Sequence, residues 1–397
     1  MEFITAGEAA RRWGVSERRV QHLCAEGRVP GAERFGRAWR IPAAAPKPDD
    51  PRRAASPSPA SRPAPRLSAA LMPLTSSSFS PGHAREYVES LEGGPLRDVA
   101  LAELAYFTAR HGDAVDLAAP HMEDDDLGVR LSACLICAYA NLPLGRIDRA
   151  LAALEGARGA AAHAAERDPR LRAAEGFVAQ AASVLLHLPA PDEVPEPRDV
   201  LPLLPPGLRA FACYVQAHAI YLDGDYAHSL GIAQTALVMQ GQTYPIPTVY
   251  LHLVAIMDLM SLRRADEARE HLLAAWELAR PDDLVEPFAE HHGLLGGMLE
   301  AVIKPAWPED FRRIIDITYR FSAGWRRVHN PATGEDVADN LTTTEFAASM
   351  LAARGWTNQE IAEHLGVSAH TVKSYLSSAF SKLGVTRRRD LERFMLA

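Results

Sequence analysis

The sequence is 397 residues long, 48% apolar, and carries a net charge of −8. That length allows two to four domains, each able to bury its own core. Its most apolar runs, LSACLICAYANLPL and TVYLHLVAIMDLM, are too short to cross a bilayer and carry polar residues, so no membrane partner is expected. The first residues, MEFITAGEAARR, bear charges where a secretory leader would be apolar, and four cysteines make no disulfide framework. A soluble, cytoplasmic protein is expected. The charge is unevenly spread, at +6 over residues 1–67, −16 over 68–339 and +2 over 340–397. Basic ends around an acidic middle are the pattern expected when only the ends touch phosphate.

The two ends share a short device. EAARRWGVSERRV at 8–20 and EIAEHLGVSAHTV at 360–372 match at Glu8/Glu360, Ala10/Ala362, Gly14/Gly366, Val15/Val367, Ser16/Ser368 and Val20/Val372. Each reads as a helix closed by a glycine, a tight turn, and a second helix capped by a serine. The alanine lets the two helices cross closely. This is a helix-turn-helix, whose second helix can enter the DNA major groove.

Residues 1–42 form the first predicted unit. After its helix pair, RVPGAERFGRAWRIP places a Gly36-Arg37 step between two short apolar-containing runs, which predicts a β-hairpin with Trp39 packing it on the helices. Ile4-Thr5, Glu8-Ala9-Ala10, Gly14-Val15-Ser16, Glu26-Gly27, Pro30 and Trp39-Arg40-Ile41-Pro42 together resemble the excisionase/MerR-like winged-helix family. Arg18, Arg19 and His22 project from the reader helix and Arg34, Arg37 and Arg40 line the hairpin, six candidate DNA contacts. Residues 43–78 are expected to be a disordered linker, since 43–67 hold seven prolines and one leucine and cannot bury a core.

Residues 79–328 are rich in Ala and Leu at helical spacing. LGRIDRALAAL (144–154), DGDYAHSLGIA (223–233) and LRRADEAREHL (262–272) share a register that places Ala150, Ser229 and Ala268 together, and HGDAVDL (111–117) is a fainter copy. Helical hairpins repeating at about 33 to 40 residues read as a solenoid, and the segment resembles degenerate tetratricopeptide-like repeats. It is the candidate sensor of an effector, whether small molecule, peptide or protein. Within it, EDDDLG reads as a helix-starting acidic turn, Cys134 and Cys137 as small buried residues, and His291-His292 near Glu286 and Glu290 as a polar cluster without ligand spacing. No nucleotide-binding, metalloprotease or nucleophile-elbow motif occurs, so no catalytic residue, metal or cofactor is expected and an enzyme is not predicted.

Residues 329–340 are read as a linker and 341–397 as a final unit. Leu341-Thr342 with Glu345, Thr357-Asn358, Glu360-Ile361-Ala362, Ser368, Thr371-Val372-Lys373, Lys382-Leu383-Gly384-Val385, Arg388 and Leu391 resemble the LuxR/GerE-type helix-turn-helix family. The resemblance implies four helices with the third as reader. It puts Lys373, Ser374 and Ser377 near bases, and Thr357, Asn358, Thr371 and Lys382 at the phosphate backbone, with Arg388 in the same set. It also implies a homodimer on DNA, paired through the last helix (387–396), where the apolar Leu391, Phe394 and Met395 recur at helical spacing, with a place in the core as the alternative for Leu391. Thr344 stands where the family usually has Arg, which removes one buried ion pair, and Tyr375 stands where His is commonest. The fold class expected is therefore mainly α: a winged helix, a helical-repeat middle and a C-terminal reader. The expected function is a sequence-specific transcriptional regulator binding double-stranded DNA. The alternative is a protein-interaction scaffold in which only the C-terminal head touches DNA.

Overall fold

The computed structural model describes residues 3–36, 38–48, 71–165, 169–186, 196–333 and 341–395. It divides into two compact units, residues 1–65 and 66–397.

In the first unit, helices α1 (Ala6–Trp13) and α2 (Glu17–Ala25) bury Ala6, Ala9, Ala10, Trp13, Val20 and Leu23 against Ile41. The predicted hairpin is present as β2 (Glu33–Phe35) and β3 (Ala38–Pro42), with Phe35 opposite Ala38 and Gly36 left-handed at φ 63°. A third strand, β1 (Phe3–Thr5), pairs antiparallel with β3 and gives the order β1–β3–β2. Trp39 is half-buried on this core.

The second unit is helical. Its helices are α3 (Ala84–Ser90), α4 (Pro95–Phe107), α5 (His111–Ala118), α6 (Leu127–Asn141), α7 (Ile147–Ala165) and α8 (Pro169–Leu185). They continue as α9 (Pro206–Leu222), α10 (Tyr226–Met239), α11 (Pro245–Ser261), α12 (Ala265–Ala279), α13 (Glu286–His291) and α14 (Pro308–Thr333). Helix α11 contains the run TVYLHLVAIMDLM, and nearly all of it is buried, from Val249 through Met260. A helix apolar on every side belongs in a core, and each fully buried Leu or Ile there contributes about 1.5–3 kcal/mol. No helix among the described residues is long and apolar enough to cross a membrane.

Four helix pairs share one turn. Ala109, Gly145, Gly224 and Arg263 are left-handed, with φ of 60°, 68°, 81° and 60°. The following amide reaches back each time, Arg110 to Ala105 (2.8 Å), Arg146 to Asn141 (3.0 Å), Asp225 to Ile220 (3.2 Å) and Arg264 to Leu259 (2.8 Å). This closes the first helix and reverses the chain. Ala114, Ala150, Ser229 and Ala268 then fall at one place in the second helices, and all four are fully buried. A small side chain there lets the pair approach closely. The Ser229 hydroxyl, which has one proton to give, lies 2.8 Å from the Ala217 carbonyl and 2.7 Å from the Asp258 carboxyl, so it is not buried without a partner.

The expected linker at 43–78 is shorter at both ends. Lys47 donates to the Trp13 carbonyl (2.8 Å), which holds its segment against the end of α1. At the other end Leu71 and Leu74 are core residues. The buried Glu103 carboxyl accepts from the Leu74 amide (2.8 Å), the Thr75 amide (2.9 Å) and the Thr75 hydroxyl (2.6 Å). Burial pushes that carboxyl up to about 7. The linker expected at 329–340 likewise starts inside α14, which runs to Thr333, and its remainder lies outside the described residues. Asp126 caps α6 by accepting from Gly128 (2.8 Å) and Val129 (3.1 Å), as the acidic turn predicts. Cys134 and Cys137 are buried in α6, and desolvation pushes their thiols up to about 11 and about 12.

Candidate nucleic-acid interface

The C-terminal helices are α15 (Thr343–Ala353), α16 (Asn358–Leu365), α17 (Ala369–Leu383) and a last turn, α18 (Glu392–Met395). The pair α16–α17 repeats α1–α2 in both N-caps and in the left-handed glycine between the helices. Thr5 and Thr357 each form a capping box, with Glu8 and Glu360 respectively. Gly14 and Gly366 both close the first helix at φ 66°. Ser16 and Ser368 cap the second helix through the amides of Arg19 (3.4 Å) and Thr371 (3.0 Å). Ala10 and Ala362 are buried where the helices cross, and Val20 and Val372 fill the angle between them at 0% exposure. The Thr5/Thr357 match lies at the same offset as the six matches read from sequence and extends the device by one capping residue.

Helix α17 presents Lys373, Ser374 and Ser377 to solvent on one face, and none of them makes a hydrogen bond or ion pair among the described residues. They are donors without a protein occupation, as base or phosphate contacts must be. Thr357 and Thr371 are also surface residues, but their hydroxyls serve caps, since Thr371 Oγ1 lies 2.8 Å from Ser368 Oγ. The structure gives the other three residues internal partners. Arg388 donates to Asn358 Oδ1 (2.8 Å) and to the Ala352 and Trp356 carbonyls, stapling α15 to the start of α16. Asn358 is thereby held from within. Lys382 donates to the Glu345 carboxyl at 2.6 Å.

Glu345 resolves the ion pair that Thr344 left open. Its carboxyl accepts from Lys382, from the Ser378 hydroxyl (2.6 Å) and from the Thr342 amide (2.7 Å). Burial pushes this group up, but the three donors outweigh burial and hold it at about 2. The pair ties the reader helix to α15. Glu345→Gln is expected to lower the stability of this domain by about 1.5–3 kcal/mol, the scale of hydrogen bonds to a charged group. The folded value lies below the unfolded 4.5, so the contribution is complete above about pH 5 and fades as pH falls towards 2. Urea midpoints of parent and variant should therefore differ at pH 7, draw together below about pH 4.5 and meet only as pH falls to about 2.

In the first unit, Arg18, Arg19, His22, Arg34 and Arg40 are all exposed. His22 sits 3.2 Å from the Glu26 carboxylate, and the Arg40 guanidinium lies over the Phe3 ring at 4.4 Å and the Phe35 ring at 5.6 Å. Arg37 falls outside the described residues. Phe35 is 69% exposed at the hairpin tip, a feature that sequence reading passed over. Leu391 takes the core alternative left open for it, Met395 is buried in the core of the second unit as well, and Phe394 is half-buried against it.

The reader domain is seated on the helical body by a cradle of glycines. A Cβ on Gly293 would lie 2.7 Å from Phe346, one on Gly296 2.7 Å from Arg354, and one on Gly297 2.7 Å from Leu365. Gly296 and Gly297 are left-handed besides, at φ 60° and 80°. Around the cradle, Arg354 donates to the Tyr221 hydroxyl (2.6 Å) and the Leu294 carbonyl (3.0 Å). His364 Nε2 lies 3.1 Å from the Gly296 carbonyl, and Arg263 meets the Gly355 carbonyl and Glu360 (3.6 Å). A run of small residues, GLLGG, was the available signal, but only its packing partners give it meaning.

Residues 339–395 match the GerE family, described as bacterial regulatory proteins of the luxR family. The C-terminal domain is of the luxR type. Over 53 residues, 13% of this chain, the sequence is 42% identical to a probable transcriptional regulatory protein, SgaR, of Hyphomicrobium methylovorum. The match covers 25% of that relative, so the chain spans about a quarter of its length. No solved structure matches the chain. The luxR-type domain thus accounts for the α15–α18 segment, including the exposed face of α17.

Proposed function

We propose that this protein is a DNA-binding transcriptional regulator that acts by recognition rather than catalysis. The observation that carries the reading is the exposed trio Lys373, Ser374 and Ser377 on the capped second helix of a luxR-type domain. Lysine can reach the acceptors of guanine in the major groove, whereas serine discriminates weakly between bases. Lys373→Ala is expected to weaken binding to a preferred sequence by about 1–3 kcal/mol with the fold intact. A mobility shift that gives the folded variant its parent's affinity would refute the assignment.

In this reading the first unit is a MerR-like winged helix acting as a second DNA contact, the body is a tetratricopeptide-like solenoid that senses an effector, and two chains pair on inverted half-sites. A second reading has its own support. The exposed Phe35 at the hairpin tip, stacked with Arg40, suits a protein groove as well as a phosphate backbone, and would make the first unit a protein-binding module. Removal of that unit separates the two readings.

A further inference from the structure

Helix α13 carries two carboxyls four residues apart, Glu286 and Glu290, and packs into the body. It runs straight into the turn His292–Leu295 and the left-handed Gly296 and Gly297, so it leads directly into the cradle that seats the reader domain. Side chains four apart lie on one face of a helix. Two carboxyls so placed in an interior cannot both ionise cheaply, because each resists the other's charge and burial resists both.

The surroundings offset those charges poorly. Glu286 is fully buried; its Oε2 lies 2.8 Å from His111 Nε2, and its Oε1 has no hydrogen-bond partner among the described residues. The first helices of the four pairs that share the left-handed turn each bring one tyrosine to Glu290, namely Tyr106 of α4, Tyr139 of α6, Tyr214 of α9 and Tyr250 of α11. Glu290 is half-buried, and Tyr106 donates to its Oε1 and Tyr250 to its Oε2 (2.7 Å). Burial and then the Glu290 charge push the Tyr139 and Tyr214 hydroxyls up, so both keep their protons. Tyr214 also lies 2.8 Å from His291 Nε2 and 3.1 Å from His218 Nδ1. Burial pushes His291 down to about 4, so its ring adds no positive charge at neutral pH. The groups that draw Glu286 down are His111 and Arg320 of α14, whereas Glu290 has only its two tyrosine donors. Burial first, and Glu286 second, therefore push Glu290 up to about 8.

We propose that α13 is a proton-held joint between the body and the reader domain: Glu286 and Glu290 keep a proton between them while α13 is packed, and losing it loosens α13 and, through the turn that follows, the seat of the reader domain. The packed value of Glu290 stands above its unfolded 4.5, so the packed state binds the extra proton. Its contribution is complete below about pH 4.5 and is lost as pH rises through about 8. This coupling is independent of what α17 contacts.

Amide exchange on the full chain, read as protection factors between about pH 6 and pH 9, tests the joint. Protection in α13, α15 and α16 is expected to fall about tenfold or more over that range, the scale of one proton released, while α1 and α2 in the other unit keep theirs. Glu290→Gln keeps the shape and still accepts from Tyr106, so its protection should stay nearly level. Glu286→Gln keeps an acceptor for His111 but removes the like charge beside Glu290, and should move the fall to lower pH. Circular dichroism checks that both variants retain the parent's helical content. A parent whose α13 protection is unchanged across the range, or a folded variant that follows the parent's curve, would overturn the joint. A fall confined to α13, with α15 and α16 unchanged, would refute its hold on the reader domain.

Discussion

A chain lacking residues 1–66 should bind long DNA that carries both sites about 10²-fold more weakly than the full chain. The two helix-turn-helix units have the same capped geometry, and each offers few specific donors. Three residues on α17 remain for bases, and in the first unit Arg18 and Arg34 are exposed at the reader helix and the hairpin. If the first unit also contacts DNA, as proposed, two weak contacts on one chain reinforce each other through effective concentration, and the length of chain between them sets how far apart their sites can lie. On short DNA bearing only the C-terminal site, truncation should change little. The salt dependence of binding should also become shallower, because fewer phosphates are neutralised. Equal affinity of truncated and full chains on the long DNA would assign the first unit to a protein partner.

Replacing Gly297 by valine should loosen the reader domain from the body by about 2–6 kcal/mol. A β-branched residue at φ 80° is strained by about 1–3 kcal/mol, and its Cβ would press on Leu365 at 2.7 Å, for which overpacking adds about 1–3 kcal/mol. Amide exchange in α15 and α16 should then accelerate at least about 30-fold, while α4 and α5, distant in sequence from the cradle, keep their protection. Gly231→Ala serves as control, since nothing lies within 4 Å of its added carbon. Unchanged exchange in α15 and α16 would mean that the cradle does not hold the domain.

Sequence reading found what local chemistry determines. Glycine closes a helix and serine caps the next wherever they stand, so both capped helix pairs, the hairpin and the acidic cap at Asp126 were legible. The repeat register was legible for the same reason, though the structure adds that Ala109 and Arg263 adopt the left-handed turn without being glycine. What depends on distant partners was not. A lysine facing a phosphate and one facing Glu345 look alike on an amphipathic helix, so Lys382 and Arg388 were read as DNA contacts although the fold gives them internal ones. The strand β1 is three residues long and gains its identity only by pairing with β3. The segment 71–76 looked like linker because the acceptor that orders it, Glu103, lies 28 residues beyond Thr75. The cradle at 293–297 needed Phe346, Arg354 and Leu365 before its glycines had a purpose.

The central claim is sequence-specific recognition of DNA by α17. Selection from a pool of random double-stranded DNA by the full chain, run in parallel with Lys373→Ala, tests it most directly. The account predicts that the parent enriches a recurring sequence, arranged as inverted half-sites if two chains pair, and that the variant loses enrichment at the bases Lys373 reads while still retaining DNA non-specifically. A parent that enriches no sequence, or a variant that enriches the same sequence equally well, would contradict it.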